Sequence, residues 1–133
     1  MLKQISVFSE GFEFYQDITS MVNEHLMQSV EKDGMVSICA KGSTTALVTM
    51  RFEKGVIKDL LFFLEKLYPS GTKDNHFELT RDPNGMAHIK NILLGNSQSL
   101  AYMNRKLILP EKHRLVFFDF DLRTSQREIY LNY

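Results

Sequence analysis

From Leu2 to Phe8 the chain reads Leu2-Lys3-Gln4-Ile5-Ser6-Val7-Phe8, the apolar and polar alternation of a half-buried strand. Glu10-Gly11 supplies a turn before Phe12-Glu13-Phe14-Tyr15, so the pattern predicts an opening hairpin. The period then changes. Ile18, Met21, Val22, Leu26 and Val30 share one face of a helix that starts at Asp17 or Thr19 as N-cap and ends at Asp33-Gly34. The apolar run Met35-Val36-Ser37-Ile38-Cys39-Ala40 reads as a strand, and residues 46–53 read as another. In that second strand Ala46, Val48, Met50 and Phe52 occupy one face, and Thr49, Arg51 and Glu53 the other. Side chains two apart on a strand project side by side at ~6.6–7 Å, which puts Arg51 and Glu53 on one polar surface. A solvated face accounts for the same pattern.

Ile57, Leu60, Leu61, Leu64, Leu67 and Tyr68 recur at i, i+3, i+4 and i+7, and Pro69 and Gly71 close the second amphipathic helix. Phe62 and Phe63 extend its apolar surface, which points to packing between layers or against another subunit. Residues 69–85 carry little periodic signal and read as a long loop ending on Asn84-Gly85, a place where function often resides. A short helix from Ala87 through Leu94 follows, with Gly95 as its stop. Strands are expected at 99–103, 106–109, 114–121 and 127–132, with turns at Asn104-Arg105 and Thr124-Ser125. The elements predict one α+β domain over residues 1–133, with a mostly antiparallel or mixed sheet, two main amphipathic helices and one short helix.

Composition narrows the function. At 133 residues and 44% hydrophobic content the chain has enough apolar material for one core. Sixteen basic residues balance sixteen acidic ones, so no net field attracts nucleic acid or an anionic membrane. No stretch of ~18 apolar residues and no signal-type N-terminus occurs, which gives a cytoplasmic expectation. The lone Cys39 reads as a buried small hydrophobe, and the methionines, Met27 among them, as fillers of core gaps. Lys90, Lys112 and Arg114 read as solvated cations, and Asp119 and Asp121 as an ion-paired structural couple.

Four histidines, at 25, 76, 88 and 113, have no spacing that specifies zinc. His25 belongs to the first helix, and the fold could bring the other three together. Four segments carry more information: Gly42-Ser43-Thr44-Thr45-Ala46, then Arg51-Phe52-Glu53-Lys54-Gly55, then Asn84-Gly85-Met86-Ala87-His88 with Leu93-Leu94-Gly95-Asn96-Ser97, and the closing Leu115–Asp121 strand. In this order they resemble the YjbQ-like family, a small trimeric α+β family whose members are named secondary thiamine-phosphate synthase enzymes.

The resemblance implies a site with His88, His76 and Glu53 as catalytic candidates and Ser43, Thr44, Arg51, Asn84, Gly85 and His113 as ligand-binding candidates. It also marks departures. The family pattern Glu-Tyr-Glu-x-Gly has Arg51 at its first glutamate, Asn-Gly-His-x-His has Met86 at its first histidine, and Gly-Thr-Trp-Gln-Gln is replaced by Pro110–Arg114. Arg51 puts a fixed positive charge where a metal ligand would stand, which favours an anion over a divalent metal. The expectation is a homotrimer with a changed site for an anion or small phosphorylated metabolite, the cofactor being a divalent metal or a bound phosphate or sulfate if there is one. Two alternatives stand beside it: a non-catalytic oligomeric binding protein, and a metal-binding protein using His76, His88 and His113.

Overall fold

The apolar run Leu115-Val116-Phe117-Phe118 is wholly buried and occupies the middle of the molecule. In the computed structural model, which covers residues 1–133, it lies within the seventh of eight strands. The elements follow as β1 (Leu2–Ser9), β2 (Phe14–Asp17), α1 (Thr19–Leu26), β3 (Gly34–Lys41), β4 (Thr45–Arg51), α2 (Lys54–Leu67), α3 (Asn75–Thr80), α4 (Gly85–Leu94), β5 (Ser97–Met103), β6 (Lys106–Leu107), β7 (His113–Asp119) and β8 (Ser125–Asn132). One sheet has the order β1-β8-β3-β5-β6 and the other β2-β7-β4, with every pairing antiparallel.

Period two along β7 divides the core. Leu115 and Phe117 face a cluster made with Ile5, Val36, Ile38 and Ile129 of the five-stranded sheet and with Val22 and Leu26 of α1. Val116 and Phe118 face the other way, onto Ile57 and Leu64 of α2 and Met86 and Ala87 of α4. Both faces of the small sheet are therefore covered, which is why its central strand is apolar from Leu115 through Phe118. On the outer face of the large sheet, Met35, Ser37, Cys39 and Lys41 of β3 are exposed.

That arrangement corrects several expectations. No opening hairpin forms, because β1 pairs with β8 and β2 with β7. Gly11, Phe12 and Glu13 are all left-handed, with φ of 72°, 54° and 64°, and carry the chain from one sheet to the other. Helix α1 ends at Leu26, and Val30 is 90% exposed beyond it. Cys39 is exposed, because Val36, Ile38 and Ala40 take the inward positions of β3. Met50 and Met86 fill the core as expected, whereas Met27, Met35 and Met103 are exposed. Lys90 is buried rather than solvated, its ammonium 3.8 Å from Glu65 and 5.3 Å from the centre of the Phe120 ring.

The loop 69–85 contains a helix that its pattern does not announce. Asp74 accepts a 2.9 Å bond from the Phe77 amide and so caps α3, and Arg81 ends it in the left-handed region. Its six residues bury no side chain, so no apolar periodicity marks them. Helix α3 brings His76 beside the start of α4.

Candidate functional site

The site begins with a buried carboxylate. Asp119, at the end of β7, is fully buried and accepts from the Thr44 hydroxyl at 2.9 Å, from Arg127 Nε at 2.7 Å and from the Asp121 amide at 3.1 Å. Burial by itself raises its pKa. Bonds from Arg127, the Ser9 hydroxyl and the Asp121 amide outweigh that effect and hold the group below the usual carboxylate range. Arg127 Nη2 also reaches Thr44 Oγ1 at 3.1 Å and Asp121 Oδ2 at 3.3 Å. One guanidinium thus ties both aspartates to the loop that precedes β4.

Asp121 passes this order outward. Its Oδ1 accepts from Asn84 Nδ2 at 3.2 Å, and Asn84 Oδ1 lies 3.0 Å from His76 Nε2. A carboxylate only accepts, so Asn84 presents its amide hydrogens to Asp121 and its oxygen to His76. His76 therefore carries its proton on Nε2. His88 Nδ1 lies 3.0 Å from the Ser43 carbonyl oxygen, which also only accepts, so His88 carries its proton on Nδ1 and leaves Nε2 bare when neutral. The two rings meet edge to face with centroids 4.6 Å apart.

These groups border a cavity of about 330 Å³ lined by ten residues, none of them hydrophobic. Ser43, Thr44, His76, Asn84 and His88, all singled out from the sequence, are among them. Thr80, Asp82, Asp121, Arg123 and Arg127 complete the wall. Arg123 Nη2 donates to Asp82 Oδ2 at 2.7 Å, and the Asn84 amide donates to Asp82 Oδ1 at 3.2 Å. Sequence reading anticipates the ion pairing of Asp119 and Asp121 but not their place beneath this cavity. Arg127 carries no sequence signal at all, because only the register of β8 brings it to Asp119.

A second cavity of about 290 Å³ shares the two histidines and adds Tyr68, Asp74, Asn75, Gly85 and Ile89. The Tyr68 hydroxyl donates to Asp74 Oδ2 at 2.7 Å, and this bond with that from the Phe77 amide holds Asp74 below the usual carboxylate range. Gly85 adopts no positive φ, so turn conformation does not explain it. A Cβ there would collide with the Asp74 carboxylate, which packs against the start of α4. The close approach requires glycine.

Arg51, Glu53 and His113 lie elsewhere. The β4–β7 ladder runs from Thr45 opposite Asp119 to Arg51 opposite His113. Six residue steps at ~3.3 Å separate its ends by roughly 20 Å. Arg51 Nε pairs with Glu53 Oε2 at 3.4 Å, and the pair lines an open cleft with Asp17, Phe52, Lys112 and Arg114. Arg114 pairs with Asp17 at 3.6 Å. Within one chain, His113 does not join His76 and His88, and no group of three His, Cys, Asp or Glu side chains is placed to hold a metal ion. Met86 lines neither histidine cavity; it is buried among Val116, Phe118 and Phe120.

A family profile described as UPF0047 protein YjbQ-like matches residues 3–133. The chain belongs to that family. A UPF0047 protein of Archaeoglobus fulgidus is 40% identical over 113 residues, which is 85% of this chain and 86% of the relative. Another, from Methanocaldococcus jannaschii, is 28% identical over 132 residues, covering 98% and 92%. The solved structure of a YjbQ/UPF0047-family protein from Clostridium acetobutylicum superposes with a TM-score of 0.87 at 27% identity, over 98% of each chain. A hypothetical protein of Aeropyrum pernix, 22% identical, shares the fold with a TM-score of 0.89 over 100% of this chain and 97% of its own. Against the YjbQ-like pattern, then, the departures at Arg51 and at Pro110–Arg114 fall at the far end of the β4–β7 ladder, and Met86 falls in the core. The Asn84–His88 segment and the loop before β4 stand together at the near end.

Proposed function

We propose that the cavity bordered by His76 and His88 binds a small anion, the phosphate of a phosphorylated metabolite, and that His88 Nε2 takes a proton from the bound molecule. The observation that carries this reading is the opposed tautomer pair. His88 is anchored through Nδ1–H on a backbone carbonyl, so its basic nitrogen is Nε2. His76 is anchored through Nε2–H on a chain of hydrogen bonds that ends at Arg127. A base held in one tautomer and a wall containing two guanidiniums and the Ser43 hydroxyl suit a reaction in which negative charge develops on oxygen. No step through a metal is needed for it.

Titration of the whole chain with inorganic phosphate, followed by NMR at the histidine side chains, tests the binding. Saturable shifts at His76 and His88 are expected; the His76 shift should be lost in His88→Gln, and both should be retained in Arg51→Ala, whose side chain lies at the other end of the ladder. Absence of any saturable shift up to about 10 mM, where binding is worth only ~3 kcal/mol, overturns the reading. The family's naming further suggests joining of hydroxymethylpyrimidine diphosphate to thiazole phosphate, and supplying both to the purified protein tests that reaction. Phosphate binding without turnover would favour a non-catalytic binding protein. For the assembly we propose a homotrimer, a reading supported by the exposed Phe62, Phe63 and Leu67 on α2; light scattering on the eluted protein decides it.

A further inference from the structure

We infer that the ligand of the His76–His88 cavity is a phosphorylated sugar or polyol rather than a phosphorylated planar heterocycle, the class to which the pyrimidine and thiazole substrates suggested by the family's naming belong. The inference rests on the anion reading above and sharpens it to a ligand class. Its first support is the wall. A planar heterocycle gains affinity by laying its faces on apolar or aromatic side chains, and none of the ten lining residues is hydrophobic. The flat surfaces available are the two imidazoles, which already pack edge to face on one another, and the guanidiniums of Arg123 and Arg127, which are engaged by Asp82, Asp119 and Asp121. Seating the face of a ring against such a wall strips water from charged groups and returns no hydrogen bond from that face, which is costly.

The second support is the mixture of acceptors and donors. Asp82 and Asp121 lie in the wall as carboxylates, and a ligand that is phosphate throughout would meet them as like charge. Each keeps acceptor capacity. Asp82 Oδ1 holds one bond from the Asn84 amide, Asp82 Oδ2 one from Arg123, and Asp121 Oδ2 one from Arg127, whereas each carboxylate oxygen can accept about two. What fits them is a donor. Sugar hydroxyls donate and accept at once, so they can bond these carboxylates while accepting from Ser43 and from Arg123, and the phosphate can take the remaining donors. A volume of about 330 Å³ stands at the small end of the ~300–1,000 Å³ range for ligand sites, which suits one small metabolite.

Four probes separate the possibilities on the intact chain by calorimetric titration: inorganic phosphate, glycerol 3-phosphate, ribose 5-phosphate and 4-nitrophenyl phosphate. Ribose 5-phosphate should bind at least about tenfold tighter than inorganic phosphate, since one or two hydrogen bonds to charged groups supply that margin. Glycerol 3-phosphate should fall between them, and 4-nitrophenyl phosphate should bind no tighter than phosphate itself. Asp82→Asn should shrink the margin of ribose 5-phosphate over inorganic phosphate, with the melting temperature checked to show that the variant is folded. Equal affinities for all four probes overturn the sugar inference and leave the anion reading standing. Tightest binding by 4-nitrophenyl phosphate, lost in Tyr68→Ala, also overturns it by seating the ring in the neighbouring cavity. If no probe binds, both the inference and the anion reading fall.

Discussion

His76 and His88 lie edge to face, their ring centroids 4.6 Å apart, although one belongs to α3 and the other to α4. Each is held at one nitrogen by a partner of fixed hydrogen-bonding sense, Asn84 Oδ1 for His76 and the Ser43 carbonyl for His88. The unengaged nitrogens, Nδ1 of His76 and Nε2 of His88, are thereby specified by residues that have no ionisable chemistry of their own.

Opposite tautomers should be visible directly. Long-range nitrogen–proton correlation spectra above the histidine titration range should show the Nε2–H form at His76 and the Nδ1–H form at His88. Asn84→Ala should leave His76 as a tautomer mixture while His88 keeps its form. The substitution should also cost about 1–3 kcal/mol in urea unfolding, because Asp121 loses a buried donor. An unchanged His76 spectrum in Asn84→Ala would remove the relay from the account.

The buried pair of Arg127 and Asp119 should govern acid stability. Removal of the guanidinium in Arg127→Ala leaves a fully buried carboxylate without its main partner and should cost about 3–5 kcal/mol. Asp119 titrates below its ordinary value in the fold, so its ionised form favours the folded state. This contribution is complete above the unfolded value near ~3.9 and is lost as pH falls through the lower folded value. Stability measured in urea at stepped pH should therefore decline below about pH 4, and a maximum at pH 3 would contradict the assignment.

Gly85 and Asp74 should be coupled. Gly85→Ala drives a Cβ into the Asp74 carboxylate and should destabilise by about 1–3 kcal/mol. Asp74→Ala separately loses the α3 cap and the Tyr68 bond. In the double variant the collision is gone, so its loss should be smaller than the sum of the two single losses by more than ~0.5 kcal/mol. Additive losses would show that the close approach is not what demands glycine.

Restoring histidine at position 86 should not build a metal site. Met86 is buried beside Phe118 and Phe120, so Met86→His places an imidazole in an apolar cluster. A melting temperature lowered by several degrees is expected, with elemental analysis showing no metal gained over the parent chain. Stoichiometric zinc in the variant would reverse this reading.

Much of the architecture was legible in local pattern. The i, i+3, i+4 spacing from Ile57 to Leu67 marks α2, and Asn104-Arg105 marks the β5–β6 turn, where both residues take positive φ. Alternation in β3 indicates that only every second residue can be buried, yet it leaves open which face Cys39 takes until Val36, Ile38 and Ala40 are seen against the second layer. Helix α3 lacked any signal because it buries nothing, and its cap, Asp74, is legible only once the Phe77 amide is seen to point at it.

The sequence by itself determined the family, the segment Asn84–His88 and every element type except that of α3, because those depend on residues close together along the chain. Tertiary structure alone decided which of the candidates stand together within one chain. Register between β4 and β7 sets Asp119 opposite Thr45 and His113 opposite Arg51, so a single ladder parts Arg51, Glu53 and His113 from His76 and His88. The pairings of β8 with β1 and β3 likewise deliver Arg127 to Asp119. Strand register is a long-range property, fixed by how two apolar faces of the small sheet are buried at once, and no spacing within any one segment records it.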